Sequence, residues 1–311
     1  MFIDQNEHKQ THSSEAEIQL KDAIDLYLQT ARLHNRSKKT MELYHWIFDL
    51  LMKYFSQITL EEFDTERIRI FLTGLMDKGW KPTSVSIAHR IIKAFLNWAI
   101  EEELLEKNPI KKIPAPKTAK IFPFTLDENE VDELFKACDK NTKHGYRNYV
   151  ILLLFIDCGL RLNELISLRT HDLSIAHRSL RIQGKGAKER FVFIGAGTNK
   201  ALRKWLRIRG NSRDPHGYLF IDRKNEPLKS RWVQEIVARL GKKANLSKRL
   251  APHKLRHVSA TMAVRNGMDA FTLQRLYGWE NITTAMRYVN AATPALQEAH
   301  AKASPVDHIL D

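Results

Sequence analysis

Apolar residues recur every three to four positions along most of the chain, a period that predicts amphipathic helices. In "SEAEIQLKDAIDLYLQTARL", Ile18, Ala23, Ile24, Tyr27 and Leu28 fall near one face. "SKKTMELYHWIFDLLMKYF" has the same period, with Ser37 placed as an N-cap. A third helix lies within "TLEEFDTERIRIFLTGLMDKG" and ends around Gly79. A fourth, "KPTSVSIAHRIIKAFLNWAIEE", is opened by Pro82 and Thr83. Four such helices in about 90 residues predict a small bundle over residues 1–107.

The pattern breaks at residues 108–123, "NPIKKIPAPKTAKIFP", which hold four prolines, four lysines and no acid. Proline resists helix and sheet, so this stretch reads as an extended basic linker. Its lysines, Lys111, Lys112, Lys117 and Lys120, are candidate phosphate contacts.

Residues 124–311 are mixed. "TLDENEVDELFKACD" predicts a helix with Thr125 as N-cap. "GYRNYVILLLFIDCGLRLNELISL" reads as a helix, a break at Gly159 and a second helix. "SLRIQGKGAKERFVFIG" alternates apolar and polar positions around a Gly-Lys-Gly turn, the mark of a β-hairpin. Helical patterns follow in "TNKALRKWLRIR", "SRWVQEIVARLGKKA", "APHKLRHVSATMAV", "DAFTLQRLYGW" and "TTAMRYVNAA". The expected fold class is mainly α with a small antiparallel β-hairpin or sheet: a helical bundle, then a mixed α/β domain.

Composition narrows the function classes. With 43% hydrophobic and 28% charged residues, the chain has the make-up of a globular protein. Its longest apolar run, "YVILLLFI", is too short to span a bilayer. The polar N-terminus has no apolar signal region, which points to a cytoplasmic protein. Two cysteines, Cys138 and Cys158, make neither a disulfide framework nor a zinc quartet. Fifty Lys+Arg against 36 Asp+Glu leave a charge of +14, an excess suited to a nucleic-acid partner.

Five short motifs carry the candidate chemistry. Arg161 and Glu164 lie in "CGLRLNEL", and Lys185 in "QGKGAKER". His253 and Arg256 lie in "PHKLRH", Trp279 in "LYGWEN" and Tyr288 in "AMRYVN". Taken singly, each has a plain structural reading. Arg161 and Glu164, spaced i,i+3, suit a helix-surface ion pair worth a few tenths of a kcal/mol. Lys185 suits an exposed turn, with Lys188 as its rival. Trp279 suits a core. Tyr288 suits a half-buried helix face, and Tyr277 competes with it as a reactive tyrosine. His253 and His257 have the i,i+4 spacing of a zinc helix. However, Lys254 stands where such sites carry glutamate, and Arg256 would repel a dication, so no metal is expected.

In this order and spacing, the set resembles the catalytic core of the tyrosine recombinases, the phage integrase family. The N-terminal bundle resembles that family's core-binding domain by helix count and position. The resemblance implies that Arg161 and Arg256 clamp a phosphate and that Lys185 protonates the leaving 5′ oxygen. It implies that His253 hydrogen-bonds the phosphate and assists the tyrosine's proton, with Glu164 supporting Arg161. Tyr288 would be the nucleophile, forming a 3′-phosphotyrosyl link without metal, ATP or other cofactor. His257 is left a packing or orienting part. Most of the family has histidine where this chain has Trp279; an indole N–H donates a hydrogen bond but is neither acid nor base. The implied partner is double-stranded DNA, held by a homo-oligomer, a tetramer on two sites with exchange of C-terminal tails. The bundle begins near residue 15, which suits an Xer-like or small mobile-element enzyme. A type IB topoisomerase and a non-catalytic DNA-binding protein on the same scaffold are the alternatives.

Overall fold

The computed structural model describes residues 17–117, 124–184, 189–210 and 216–291, together with His300, Ser304 and Val306. The chain forms two compact units, Met1–Lys120 and Ile121–Asp311.

The first unit holds helices α1 (Leu20–Leu33), α2 (Lys38–Tyr54), α3 (Thr65–Asp77) and α4 (Pro82–Glu101). Ala23, Ile24, Tyr27 and Leu28 of α1 are buried, as the period predicts. Ser37 caps α2 by accepting from the Thr40 N–H at 3.3 Å. Asp64 does the same for α3, accepting from Arg67 N at 2.9 Å. Pro82 opens α4 at its first turn, where the missing N–H costs nothing. Phe48, Phe71 and Phe95 are fully buried in the shared core. Each such side chain contributes about 1.5–3 kcal/mol of hydrophobic stabilisation.

The Pro-rich stretch begins within this unit. Asn108 caps a short 3-10 turn, Pro109–Lys112, by accepting from the Ile110 N–H at 3.1 Å. Ile110 is buried in the bundle core, and Thr65 donates to the Pro109 carbonyl at 2.8 Å. An apolar residue between prolines is enough to turn and anchor the chain there.

The second unit begins with α5 (Glu128–Lys136). Its N-cap is Asp127, not Thr125. The Asp127 side chain accepts from Glu130 N at 2.8 Å, and Glu130 Oε2 accepts from Asp127 N at 3.0 Å. Thr125 and Glu128 have the same spacing, so two capping boxes compete. The later one turns Val131 and Leu134 into the core. Helix α6 (Lys143–Asp157) carries the apolar run through that core and stops before Gly159; α7 (Leu162–Ser167) follows. Both cysteines are free and buried there, and burial pushes the Cys158 thiol up.

Strands β1 (Leu173–Ser174), β2 (Ser179–Gln183) and β3 (Glu189–Phe193) form an antiparallel sheet in that order. The two-residue β1 adds a strand to the expected hairpin. Leu180 pairs with Val192, and Ile182 with Arg190, setting Arg190 among inward-facing positions. Helices α8 (Ala196–Arg209), α9 (Ser230–Lys243), α10 (Pro252–Arg265), α11 (Ala270–Tyr277) and α12 (Ile282–Ala291) complete the described chain. The last three share a small core of their own: Ala260, Val264, Leu273, Tyr277, Ala285 and Tyr288. No described helix is long and apolar enough to cross a membrane.

Candidate active site

Glu164 organises the first half of the site. Its side chain is only 6% exposed. One oxygen accepts from Arg161 Nη1 at 2.8 Å and the other from the Arg161 backbone N–H at 2.8 Å. Arg190 on β3 adds both terminal nitrogens, each at 2.9 Å, in a bidentate fork. Burial alone would raise the carboxyl pKa; the bonds from Arg190 and Arg161 outweigh it and draw it down to about 2. Arg161 and Glu164 are thus not a solvated surface pair. They form part of a three-residue knot around the buried Glu164 carboxylate, with Arg190 14% and Arg161 45% exposed. Arg190 also donates through Nε to the Leu276 carbonyl at 3.0 Å, which ties the base of the hairpin to α11.

Two left-handed glycines let backbone carbonyls aim at the arginines. Gly159 (φ 57°) turns the chain out of α6, and Gly278 (φ 59°) ends α11. A Cβ on Gly159 would fall 2.3 Å from the Tyr277 ring, so only glycine fits. Arg256, 8% exposed on α10, donates to the carbonyls of Gly159 and Tyr277, the latter at 2.6 Å. Arg161 Nη2 donates to the Gly278 carbonyl at 3.0 Å. The Arg256 guanidinium lies 4.9 Å from the Tyr277 ring centre and 5.4 Å from that of Trp279. Burial, then the charge of Arg161, lowers its pKa to about 10, so it stays protonated at neutral pH. Both guanidiniums line a cavity of about 400 Å³, together with Arg249 and His253.

Tyr288 lies on α12, 4% exposed. Its hydroxyl is hydrogen-bonded to His257 Nδ1. Trp279 stacks on its ring, with centroids 5.3 Å apart and planes 2° from parallel. Burial raises the Tyr288 pKa, with Arg256 and Arg287 pulling the other way. Burial lowers that of His257, helped by His253 and Arg256. A second cavity, about 720 Å³, is lined by Tyr288, His257, His253, Lys248, Lys254 and Arg287 among others. His253 is exposed and borders both cavities. Tyr277 faces inward, 3% exposed, with its hydroxyl on Ser259. That burial pushes its phenol pKa well up.

Six of the residues singled out in the sequence therefore belong to this unit and border one region: Arg161, Glu164, His253, Arg256, Trp279 and Tyr288. Lys185 and its rival Lys188 lie outside the described residues, between the ends of β2 and β3. Lys111, Lys112 and Lys117 are exposed on the first unit, while Lys120 lies outside the described residues. Arg190 was not foreseen. Its signal was parity: in "ERFVF" it shares a face with the buried Val192, and an inward arginine needs buried acceptors, here a carboxylate and a backbone carbonyl. His257 was foreseen only as packing or orienting. Among the described residues, no three His, Cys, Asp or Glu side chains gather as metal ligands.

The profile of the phage integrase family matches residues 125–294, and that of the phage integrase SAM-like domain matches residues 19–115. Tyrosine recombinase XerC of Bacillus pumilus (strain SAFR-032) is 32% identical over 252 residues, covering 79% of this chain and 82% of that protein. The XerH site-specific recombinase bound to palindromic difH substrate has the same fold, with a TM-score of 0.74 at 20% identity. That match covers 93% of this chain and 90% of the other. The lambda integrase tetramer bound to a Holliday junction gives 0.72 at 19% identity, over 88% of this chain and 78% of the other. The chain belongs to the phage integrase family, the tyrosine-type site-specific recombinases.

Proposed function

We propose that this recombinase cuts and rejoins double-stranded DNA through a 3′-phosphotyrosyl link on Tyr288. One observation carries the reading: the Tyr288 hydroxyl rests on an imidazole beside a cavity that His253 shares with two anchored guanidiniums. Arg161 and Arg256 bind the non-bridging oxygens of the scissile phosphate and stabilise the charge that grows on them. Their carbonyl and Glu164 contacts hold them in place before DNA arrives, so little reorganisation is needed. His253 bonds the same phosphate. The Trp279 ring orients the nucleophile. The resemblance gives Lys185 the task of protonating the leaving 5′ oxygen. The ester retains the energy of the broken bond, so rejoining requires no ATP, and none of these steps calls on a metal.

The exposed Lys111, Lys112 and Lys117, with Lys120, are read as sequence-independent phosphate contacts. On the pattern of the lambda integrase complexes, the chain works as a homo-oligomer on DNA, a tetramer across two sites. Exchange of C-terminal tails between subunits would couple cutting to assembly. That tail lies largely outside the described residues. A DNA-relaxing enzyme would use the same tyrosine chemistry. The match of the bundle to the integrase SAM-like domain favours recombination.

The test is a covalent trap on a nicked duplex, whose lost flank prevents rejoining. The duplex carries a site selected from random DNA by the protein itself. Wild type should form an adduct that survives denaturation, and Tyr288→Phe should bind the site without forming one. An adduct in Tyr288→Phe that disappears in Tyr277→Phe would overturn the assignment.

A further inference from the structure

Trp279 leaves the site without a second imidazole at the position where the family resemblance would place one. The structure supplies that imidazole from another element. His257 follows Arg256 on α10, and its Nδ1 meets the Tyr288 hydroxyl. Its ring centre lies 5.8 Å from that of Tyr288, with the planes tilted by 32°. Resting on the reading of Tyr288 as nucleophile, we infer that His257, rather than the His253 to which the resemblance gives that task, takes the tyrosine's proton as the phosphodiester is attacked.

The two histidines of α10 are set for different tasks. Their ring centres are 6.3 Å apart and their planes stand at 89°. His253 is exposed and borders the arginine cavity, where the phosphate would lie. His257 is half-buried and engages the hydroxyl. Trp279 packs flat against the tyrosine ring and has no basic atom to offer.

The surroundings keep the acceptor ready. On its own helix His257 is flanked by His253, Lys254 and Arg256; α12 presents Arg287 and Tyr288. Across the same cavity stand Lys248 and, from α5, Glu130. Cations outnumber the single carboxylate, and burial acts in the same direction. The imidazole is therefore favoured in its neutral form, and the inferred role requires the tautomer with the proton on Nε2 and the lone pair of Nδ1 towards tyrosine. An arriving phosphate adds negative charge, which favours the imidazolium just when it forms.

The step balances. The Tyr288 oxygen forms a bond to phosphorus while the bond from phosphorus to the 5′ oxygen breaks. The phenolic proton passes to His257 Nδ1. The departing 5′ oxygen takes the proton of its general acid, a task the resemblance gives to Lys185. Rejoining runs the same transfers backwards, with His257 returning its proton to the tyrosine.

The test uses full-length protein in single-turnover cleavage of a nicked duplex bearing a site selected by the protein. Two leaving groups are compared, the ordinary 5′ oxygen and a 5′-bridging sulfur. A thiolate departs without protonation, so sulfur removes defects on the leaving-group side and spares those on the nucleophile side. His257→Ala should slow cleavage about 10²- to 10⁴-fold on both substrates, the usual worth of a positioned base. His257→Asn places an acceptor oxygen near Nδ1 but has almost no basicity; it should be as slow as alanine. Site binding and thermal unfolding of each variant confirm the fold, and the asparagine variant carries the test if alanine fails to fold. Wild-type rates in His257→Asn would show a positioning residue and overturn the inference. So would rescue of either variant by sulfur. An adduct in Tyr288→Phe would instead overturn the nucleophile assignment, a separate and distinguishable failure.

Discussion

Arg190 grips both oxygens of the Glu164 carboxylate, at 2.9 Å each, from the strand that follows the Lys185 hairpin. The same carboxylate holds Arg161, so a single buried charge ties the hairpin base to the proposed phosphate clamp. Removing one partner of a buried pair leaves a charge without its counterpart, which typically costs about 3–5 kcal/mol. Arg190→Ala should lower stability by about 3 kcal/mol, since Arg161 still pairs Glu164. It should also slow cleavage, because the Glu164 carboxylate that orients Arg161 loses its two-pronged partner. Chemical unfolding and single-turnover cleavage read the two effects. Arg190→Lys should recover only part of either, since an ammonium cannot form the two-pronged contact. Full recovery with lysine would deny the bidentate geometry its role.

The Glu164 carboxyl also makes stability depend on acid in a defined window. Its folded pKa, about 2, lies below the ordinary value of 4.5. Above about pH 4.5 the group is ionised in both states and its contribution is fully present. As pH falls from there towards 2, the unfolded chain takes up the proton first and the contribution is lost. Unfolding free energy should therefore fall across that window in wild type. Glu164→Gln should be less stable at neutral pH and should show a shallower fall. Equal slopes for the two proteins would mean that this carboxylate does not carry the effect.

The fold was legible where a period or a capping residue spoke alone. The α1 stripe, Ser37 and Pro82 act locally, and tertiary contacts do not compete with them. Thr125 misled because Asp127 offers an equivalent capping box two residues later, and only burial of Val131 and Leu134 selects between them. Strand β1 is two residues long and too short to show alternation. Within the site, chemistry-bearing residue types in order pointed to Arg161, His253, Arg256 and Tyr288, which the structure brings to one region. Arg190 was hidden because its partner lies 26 residues earlier and is joined to it only by sheet register. His257 was hidden for a similar reason, since nothing in α10 says that α12 will lay a tyrosine hydroxyl on its Nδ1.

The two guanidiniums should matter far more to rate than to binding. Each is held by backbone carbonyls before the phosphate arrives. Arg161→Ala or Arg256→Ala should cut cleavage by a factor of about 100 or more, matching about 3 kcal/mol of transition-state stabilisation. Site affinity should fall less, because many other cations contribute to it. Arg256→Ala should also destabilise the unit, since the carbonyls of Gly159 and Tyr277 lose a donor. Rapid-quench cleavage beside equilibrium binding separates these effects. Near-normal cleavage in both variants would remove the clamp from the mechanism.

Trp279 separates two uses of an aromatic ring at this position. Its face covers Tyr288 in a near-parallel stack, and its centre lies 5.4 Å from the Arg256 guanidinium. Its N–H is a potential donor to a phosphate oxygen. Trp279→Phe keeps a face and discards the donor. Trp279→His keeps a donor, adds a titratable nitrogen and shrinks the packing surface. Trp279→Ala loses everything and leaves a cavity beside the nucleophile, with a typical cost of about 3–5 kcal/mol when such a ring is buried; the indole is only half-buried, so the loss should fall at or below the lower end. If orientation of Tyr288 is the main task, phenylalanine should cleave within about tenfold of wild type and alanine far more slowly, one factor of ten being about 1.4 kcal/mol. If donation to the phosphate is the main task, histidine should outperform phenylalanine. The flat stack and the cation beneath it favour the first order of rates: tryptophan, phenylalanine, histidine, alanine. Single-turnover cleavage by the four proteins, with adduct yield as a second reading, checks that order; histidine above phenylalanine would refute it.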